Sequence, residues 1–174
     1  MNEATPVYVA AGSNVDALAN LRRALDMLQR HFAPLTVSAA YANAAVGFEG
    51  DDFVNLVLRF DTRLDVHAVI DRLHEAEAAC GRGRDAPKWA PRAMDLDILL
   101  FGELQCDEPG LKLPRPDLLK RPYMLGPAAE IAPQLVHPTA HRTLASLWHD
   151  MQESQAAHTM RPVELGWSPG ASAC

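Results

Sequence analysis

Cysteine is scarce in this 174-residue chain. Cys80, Cys106 and Cys174 are odd in number and show no C-x-x-C spacing, which excludes a disulfide framework and a structural zinc site. The seven histidines show no metal-site spacing either. Positive charge is in the minority: 16 Lys and Arg face 22 Asp and Glu, a net charge of −6, which argues against nucleic acid as the partner. No apolar stretch approaches the ~18 residues of a membrane span. The first residues lack a basic segment followed by a long apolar run, so no signal peptide is expected. A reducing cytoplasm fits, with neither nucleic acid nor membrane as partner. What remains is an ordinary globular composition, 48% hydrophobic and 22% charged, at a length that favours one domain.

Against this acidic background one basic stretch stands out. Arg82, Arg84, Lys88 and Arg92 place four cations in eleven residues, broken by Gly83, Pro87 and Pro91. The breakers rule out a long helix and predict a loop. Asp95-Leu96-Asp97 then enters the apolar run Ile98 to Phe101, closed by Gly102. That run predicts a strand, on which alternation puts Asp95 and Asp97 on one face. Paired carboxylates repel unless a cation sits between them. Hard oxygen donors at this spacing suit Mg²⁺, which takes one or two carboxylates and fills its other positions with phosphate oxygens and water. A basic loop beside such an ion suits a polyphosphate, so the chemistry indicated is metal-assisted phosphoryl or pyrophosphoryl transfer. A solvated strand end beside an unrelated charged loop is the bland alternative. Trp89 within the loop weighs against it.

The remaining elements follow in order. Val7 to Ala11 reads as a central strand ending at Gly12-Ser13-Asn14. Asp16 is a candidate cap for a helix to about His31, striped by Leu18, Leu21, Leu25 and Leu28 and stopped by Pro34. Leu35 to Tyr41 and Phe53 to Phe60 read as strands. Asp61-Thr62 and Asp65 open a second helix with Val69, Leu73, Ala76 and Cys80 on its buried stripe, and Gly81 is placed to cap its C-terminus. Strand-helix-strand-strand-helix-strand predicts an α+β, ferredoxin-like βαββαβ core: a mainly antiparallel sheet with both helices on one face. Further on, Glu103 to Leu113 predicts a hairpin and Asp117 to Lys120 a helical turn. Leu125 to Ile131 and Thr143 to Met151 predict short helices. Residues 1–158 are expected to form a single domain and 159–174 an irregular tail.

The run G-R-x-R…W-x-P-R-x-M-D-L-D-I-L-L-F-G, with G-S-N at Gly12 to Asn14, F-V-N at Phe53 to Asn55 and E-I-A-P…H-P at Glu130 to Pro138, resembles the 6-hydroxymethyl-7,8-dihydropterin pyrophosphokinase family of folate biosynthesis. The resemblance covers about residues 7 to 138 and implies the same ferredoxin-like fold, with additions after the fourth strand. It implies Mg²⁺-dependent transfer of pyrophosphate from ATP to the pterin's hydroxymethyl group, with AMP as the other product. Two Mg²⁺ ions are implied on Asp95 and Asp97, and phosphate-contacting roles for Arg82 and Arg92 on a closing loop. The implied ATP contacts are His74, Glu77, Arg84, Trp89, Ile98, Arg115 and Arg121. For the pterin they are the rings of Phe53 and Tyr123, the Asn55 amide, Gly12, Asn43, Ala44, Val46 and Trp89. Partners are then small molecules alone, and the chain is taken as a monomer.

Read without that resemblance, Phe53 is an edge or core aromatic, and His74 and Glu77 are solvent-face residues. Asn55 is an amide inside an apolar strand that needs a partner, whether a ligand or a neighbouring strand. The chain also departs from the family pattern. His74 stands where Gln is usual, Asn43-Ala44 where Thr-Pro is usual, Arg115 where His is usual, and Lys112 replaces a smaller residue. Arg and Lys carry fixed charge near neutrality, so the last two changes strengthen phosphate binding and remove a titrating group. Two other readings compete with the enzyme. One is a diverged paralogue acting on another pterin-like alcohol, and the other a non-catalytic ferredoxin-like ligand-binding module. Retention of Asp95, Asp97, Arg82 and Arg92 disfavours the second.

Overall fold

Val7, Tyr8, Val9, Ala10 and Ala11 are all buried, so the strand that carries them, β1 (Thr5–Ser13), is covered on both faces. In a computed structural model describing residues 3–43, 52–81, 93–154 and 160–169, helix α1 (Ala17–Phe32) follows, then strands β2 (Thr36–Val37), β3 (Ala40–Asn43) and β4 (Phe53–Thr62). Helix α2 (Val66–Ala79) leads to β5 (Asp95–Phe101), the hairpin β6 (Cys106–Glu108) and β7 (Leu111–Leu113), and a 3₁₀ turn at Pro116–Leu119. Helices α3 (Pro122–Ile131) and α4 (Leu144–Glu153) and strand β8 (Arg161–Val163) are the last of the described elements. The main sheet runs β5-β1-β4-β3-β8, with β2 also paired to β4, and all of its pairings are antiparallel. This is the ferredoxin-like α+β core.

The sheet separates two apolar clusters. On one face Val9, Ala11, Leu56, Leu58 and Ile98 pack on the stripes of α1 and α2, among them Leu21, Leu25, Leu28, Val69 and Leu73. Phe60 stacks on Phe32 at 4.1 Å between ring centroids. On the other face Tyr8, Ala10, Val57 and Leu99 meet Met124, Leu125 and Ala128 of α3 and Leu144 of α4. Leu99 and Leu100 both belong to this second cluster, because the β1–β5 register shifts by one residue between Tyr8/Leu100 and Val9/Ile98. Leu99 is the extra residue of that bulge, and its carbonyl accepts the Arg115 N–H at 3.0 Å.

Several expectations need correction. Asp16 makes no capping hydrogen bond: it sits in the left-handed region (φ 42°), which Asp tolerates better than most residues. Leu35 to Tyr41 is not one strand. Ser38 interrupts it, its Oγ accepting from Val57 N (2.9 Å) and donating to Ala39 O (2.8 Å). Ala39 is accordingly exposed and not on a buried face with Leu35. Asp61 and Thr62 stay in β4. Asp65 alone caps α2, accepting from Ala68 N at 2.8 Å, an interaction typically worth about 1 kcal/mol. Gly81 follows α2 with φ +92°, as a C-terminal cap requires. The tail expected to be irregular supplies β8, which pairs Ala40↔Val163 and Ala42↔Arg161 on the outer edge of β3. Trp167 Nε1 then donates to Asp26 of α1 at 2.9 Å.

Candidate active site

Register places the chemistry. Asp95 on β5, Gly12 on β1, Asn55 on β4 and Tyr41 on β3 lie opposite one another in a single row across four strands. The next row on the same face of β5 and β1 is Asp97 and Ala10. Alternation turns these side chains to the face that α3 occupies. Yet α3 begins at Pro122 and covers the Tyr8 and Val57 end of that face, leaving the Gly12 end open. The result is a cleft of roughly 250 Å³ between the sheet and the first turn of α3. Phe53, Asn55 and Asn43 line one side, Asp95 and Asp97 the other, with Tyr123 and Met124 contributed by the helix.

Gly12 is there because nothing larger fits. A Cβ at that position would lie 2.4 Å from Asn55 Oδ1. The Asn55 amide is 9% exposed and donates through Nδ2 to Asn43 Oδ1 at 2.6 Å. This cross-strand bond fixes the amide's plane. Beside it, burial and the Glu130 carboxylate push the Tyr41 hydroxyl up to about 12. Tyr41 is thus a permanent donor to Glu130, which also accepts Ala39 N at 2.7 Å. The pair ties β3 to α3 behind the cleft.

The carboxylate strand is anchored from both sides. Ser13 Oγ donates to the Ala93 carbonyl at 2.5 Å, just before β5. Glu77, on α2, is 7% exposed. Its Oε2 accepts the Leu96 N–H, midway between the two aspartates, at 3.0 Å. It is therefore no solvent-face residue, contrary to its reading by helical position alone. Arg115 Nη1 stands 3.7 Å from Asp97 Oδ1, and its Nε 3.5 Å from Asp117 Oδ2.

The described residues bring Gly12, Asn43, Phe53, Asn55, Asp95, Asp97 and Tyr123 into one cleft, with Arg115 at its margin. Glu77 lies beneath β5. His74 and Arg121 are exposed outside the cleft lining, and the Ile98 side chain is buried in the α1–α2 core, where only its main chain remains for a ligand. Arg82, Arg84, Trp89, Arg92, Ala44 and Val46 lie outside the described residues. Met124, Ala10 and Ala11 also line the cleft. Nothing in their residue types announces it. Adjacency to Tyr123 and Gly12 is the only signal.

Among the described residues no group of three or more His, Cys, Asp or Glu forms a metal cage. Two carboxylates on one strand face instead match an ion that completes its shell with phosphate oxygens and water, as Mg²⁺ does.

Residues 8–133 match the profile of the 7,8-dihydro-6-hydroxymethylpterin-pyrophosphokinase (HPPK) family. The chain belongs to this family. It is 32% identical over 158 residues to the 2-amino-4-hydroxy-6-hydroxymethyldihydropteridine pyrophosphokinase of Aquifex aeolicus, covering 90% of this chain and 94% of that one. To the enzyme of the same name from Pseudomonas aeruginosa it is 40% identical over 136 residues, covering 76% and 83%. Among solved structures, a Plasmodium falciparum HPPK-DHPS crystal structure with pterin and p-hydroxybenzoate superposes with a TM-score of 0.73 at 13% identity, covering 93% of this chain and 47% of that one. This chain thus spans about half the length of that two-part protein, and the likeness bears on fold alone. HPPK enzymes transfer pyrophosphate from ATP to the pterin; the cleft of this chain sets two carboxylates beside an aromatic and amide lining. Among the described residues, no helix is long and apolar enough to cross a membrane.

Proposed function

We propose that this chain transfers the pyrophosphoryl group of ATP to the hydroxymethyl oxygen of 6-hydroxymethyl-7,8-dihydropterin, as a monomer whose pyrophosphokinase-like domain spans residues 1–158, its sheet extended by β8. The observation that carries the reading is the convergence of the Asp95–Asp97 face, the Asn43–Asn55 amide pair, Phe53 and Tyr123 on one cleft.

Phe53 and Tyr123 offer the flat pterin two aromatic walls, and the amide row supplies edge hydrogen bonds. Asp95 and Asp97 would hold Mg²⁺, two ions in our reading, which would supply positive charge to offset that of the phosphates. The acceptor oxygen forms a bond to the β-phosphorus of ATP as the bond from that phosphorus to the α-phosphate oxygen breaks. AMP leaves and the hydroxyl proton is released. The described lining of the cleft contains no histidine, and its carboxylates are the two assigned to the metal, so no dedicated base is assigned. The chain's task is alignment and charge stabilisation. Arg115, at the cleft margin, faces the nucleotide, with His74, Glu77, Arg84, Trp89, the Ile98 main chain and Arg121 as further ATP positions. Arg82 and Arg92 are assigned to the phosphates in the transition state, and Ala44, Val46 and Trp89 to the pterin side. Arg92→Ala is expected to lower kcat by about a hundredfold or more while changing ATP affinity far less. An unchanged kcat removes Arg92 from the mechanism.

Gly12→Ala tests the cleft floor. The new methyl group displaces the Asn55 amide, so pterin affinity is expected to fall about tenfold or more with ATP affinity unchanged, as read by calorimetry with each ligand. Equal loss for both ligands points to general unfolding instead. The overall reading is tested by incubating the protein with ATP, Mg²⁺ and 6-hydroxymethyl-7,8-dihydropterin. Equimolar AMP and a diphosphorylated pterin, identified by mass, are expected. ATP binding without pterin product moves the assignment to another pterin-like acceptor.

A further inference from the structure

Arg115 is held in an unusual way. Its main-chain N–H is fixed to the carbonyl of Leu99, the extra residue of the β5 bulge. Its guanidinium sits between two carboxylates, 3.7 Å from Asp97 and 3.5 Å from Asp117. Both separations are ion-pair distances, not good hydrogen bonds. Nε is buried and makes no hydrogen bond. A guanidinium has five donors in a rigid fork suited to phosphate. With no hydrogen bond at Nε and only long contacts to two carboxylates, this guanidinium has little to lose by turning to a better acceptor.

We infer that Arg115 is a displaceable counter-ion: in the nucleotide-free protein it supplies a positive charge beside Asp97, and it leaves Asp97 for the phosphates when ATP brings in the metal. The inference rests on the Asp95–Asp97 metal assignment made above. A cation that close to Asp97 disfavours a free divalent ion at the same oxygens by direct repulsion. Once a triphosphate is present, the same charge is attracted to it, and Asp97 is released to the metal. Arg115 therefore makes metal entry conditional on the nucleotide. Asp117 gives the guanidinium a second resting place, so that it need not be withdrawn into the core. A neutral or titratable side chain at this position, which the family's usual His provides, lacks this permanent charge near neutrality.

The test is a titration of nucleotide-free protein with Mn²⁺, read by the loss of the free-ion electron paramagnetic resonance signal. Arg115→Gln is expected to bind Mn²⁺ about tenfold more tightly than the wild type at low ionic strength, a gap that narrows as salt screens the charge. Arg115→Lys keeps a cation and is expected to stay within about threefold of the wild type. The same Gln variant is expected to bind metal-free ATP, in the presence of EDTA, about tenfold more weakly. If the Gln variant melts far below the wild type, Arg115→Met, which keeps the apolar stem, replaces it. Unchanged or weaker Mn²⁺ binding in the neutral variants overturns the counter-ion role. Asp97→Asn separates this failure from that of the parent reading. Loss of Mn²⁺ binding in Asp97→Asn together with no gain in Arg115→Gln leaves the metal site standing and removes Arg115's role. Mn²⁺ binding that survives Asp97→Asn removes the metal assignment itself.

Discussion

Asp97→Asn is expected to lower the rate of AMP release about a thousandfold or more, because several kcal/mol of charge stabilisation enter through the metal that Asp97 holds. The substitution keeps size and shape and removes only the charge. Asp97 is 37% exposed, and its separation from Arg115 is 3.7 Å, so that ion pair contributes at most about 1 kcal/mol to folding. The thermal midpoint is expected to move by only a few degrees. Activity and stability thus part company in this variant. A parallel collapse of both indicates a structural role, and retained activity removes the metal from Asp97. Excess Mn²⁺ or Mg²⁺ is expected to recover part of the rate, since an amide oxygen remains a weak ligand.

The second large effect is expected at Glu77. Its carboxylate accepts the Leu96 N–H from within the protein, and Leu96 lies between the two aspartates. Glu77→Ala leaves that N–H buried without its acceptor, at a typical cost of about 1–3 kcal/mol. It also lets the Asp95–Asp97 segment shift, and a displacement near 1 Å in catalytic groups costs about a hundredfold in rate. Glu77→Gln retains an oxygen that accepts the same hydrogen bond. It is expected to restore most of the thermal stability and most of kcat. Rescue by glutamine identifies the hydrogen bond as Glu77's contribution. A glutamine variant as impaired as the alanine one, with weakened ATP binding, assigns the charge to the nucleotide instead.

How far the residues announced these features varies with the range of the interaction. The apolar runs of β1, β4 and β5 and the α2 stripe Val69, Leu73, Ala76 and Cys80 are local signals, and the structure places them as expected. The pairing of Asp95 and Asp97 on one face is equally local. Where a distant group decides the outcome, local reading fails. Glu77 follows a polar helical position by sequence, but the edge strand it meets lies nineteen residues on. Ser38 breaks a strand because its hydroxyl takes over a ladder position on β4, an exchange that no propensity scale records. β8 becomes a strand only because β3 presents an open edge. Gly12 was legible only through family resemblance. Its physical reason, the Asn55 oxygen 2.4 Å from any Cβ, appears once two strands are in register.

The bulge at Leu99 also sets how β5 tolerates insertions and deletions. Ahead of it, Asp95 and Asp97 are phased with Gly12 and Ala10; behind it, Leu100 and Phe101 follow a phase shifted by one. Losing or gaining a single residue between Asp95 and Asp97 puts the two carboxylates on opposite faces of the strand. One of them then enters the core beside Leu56 and Val9, and the pair is lost from the cleft. A length change after Leu100 meets a strand end and a turn instead, and spares the carboxylates. In a family whose members differ in length, β5 ahead of the bulge is thus the segment where length variation is least affordable, and the loop beyond Gly102 the place where it can accumulate.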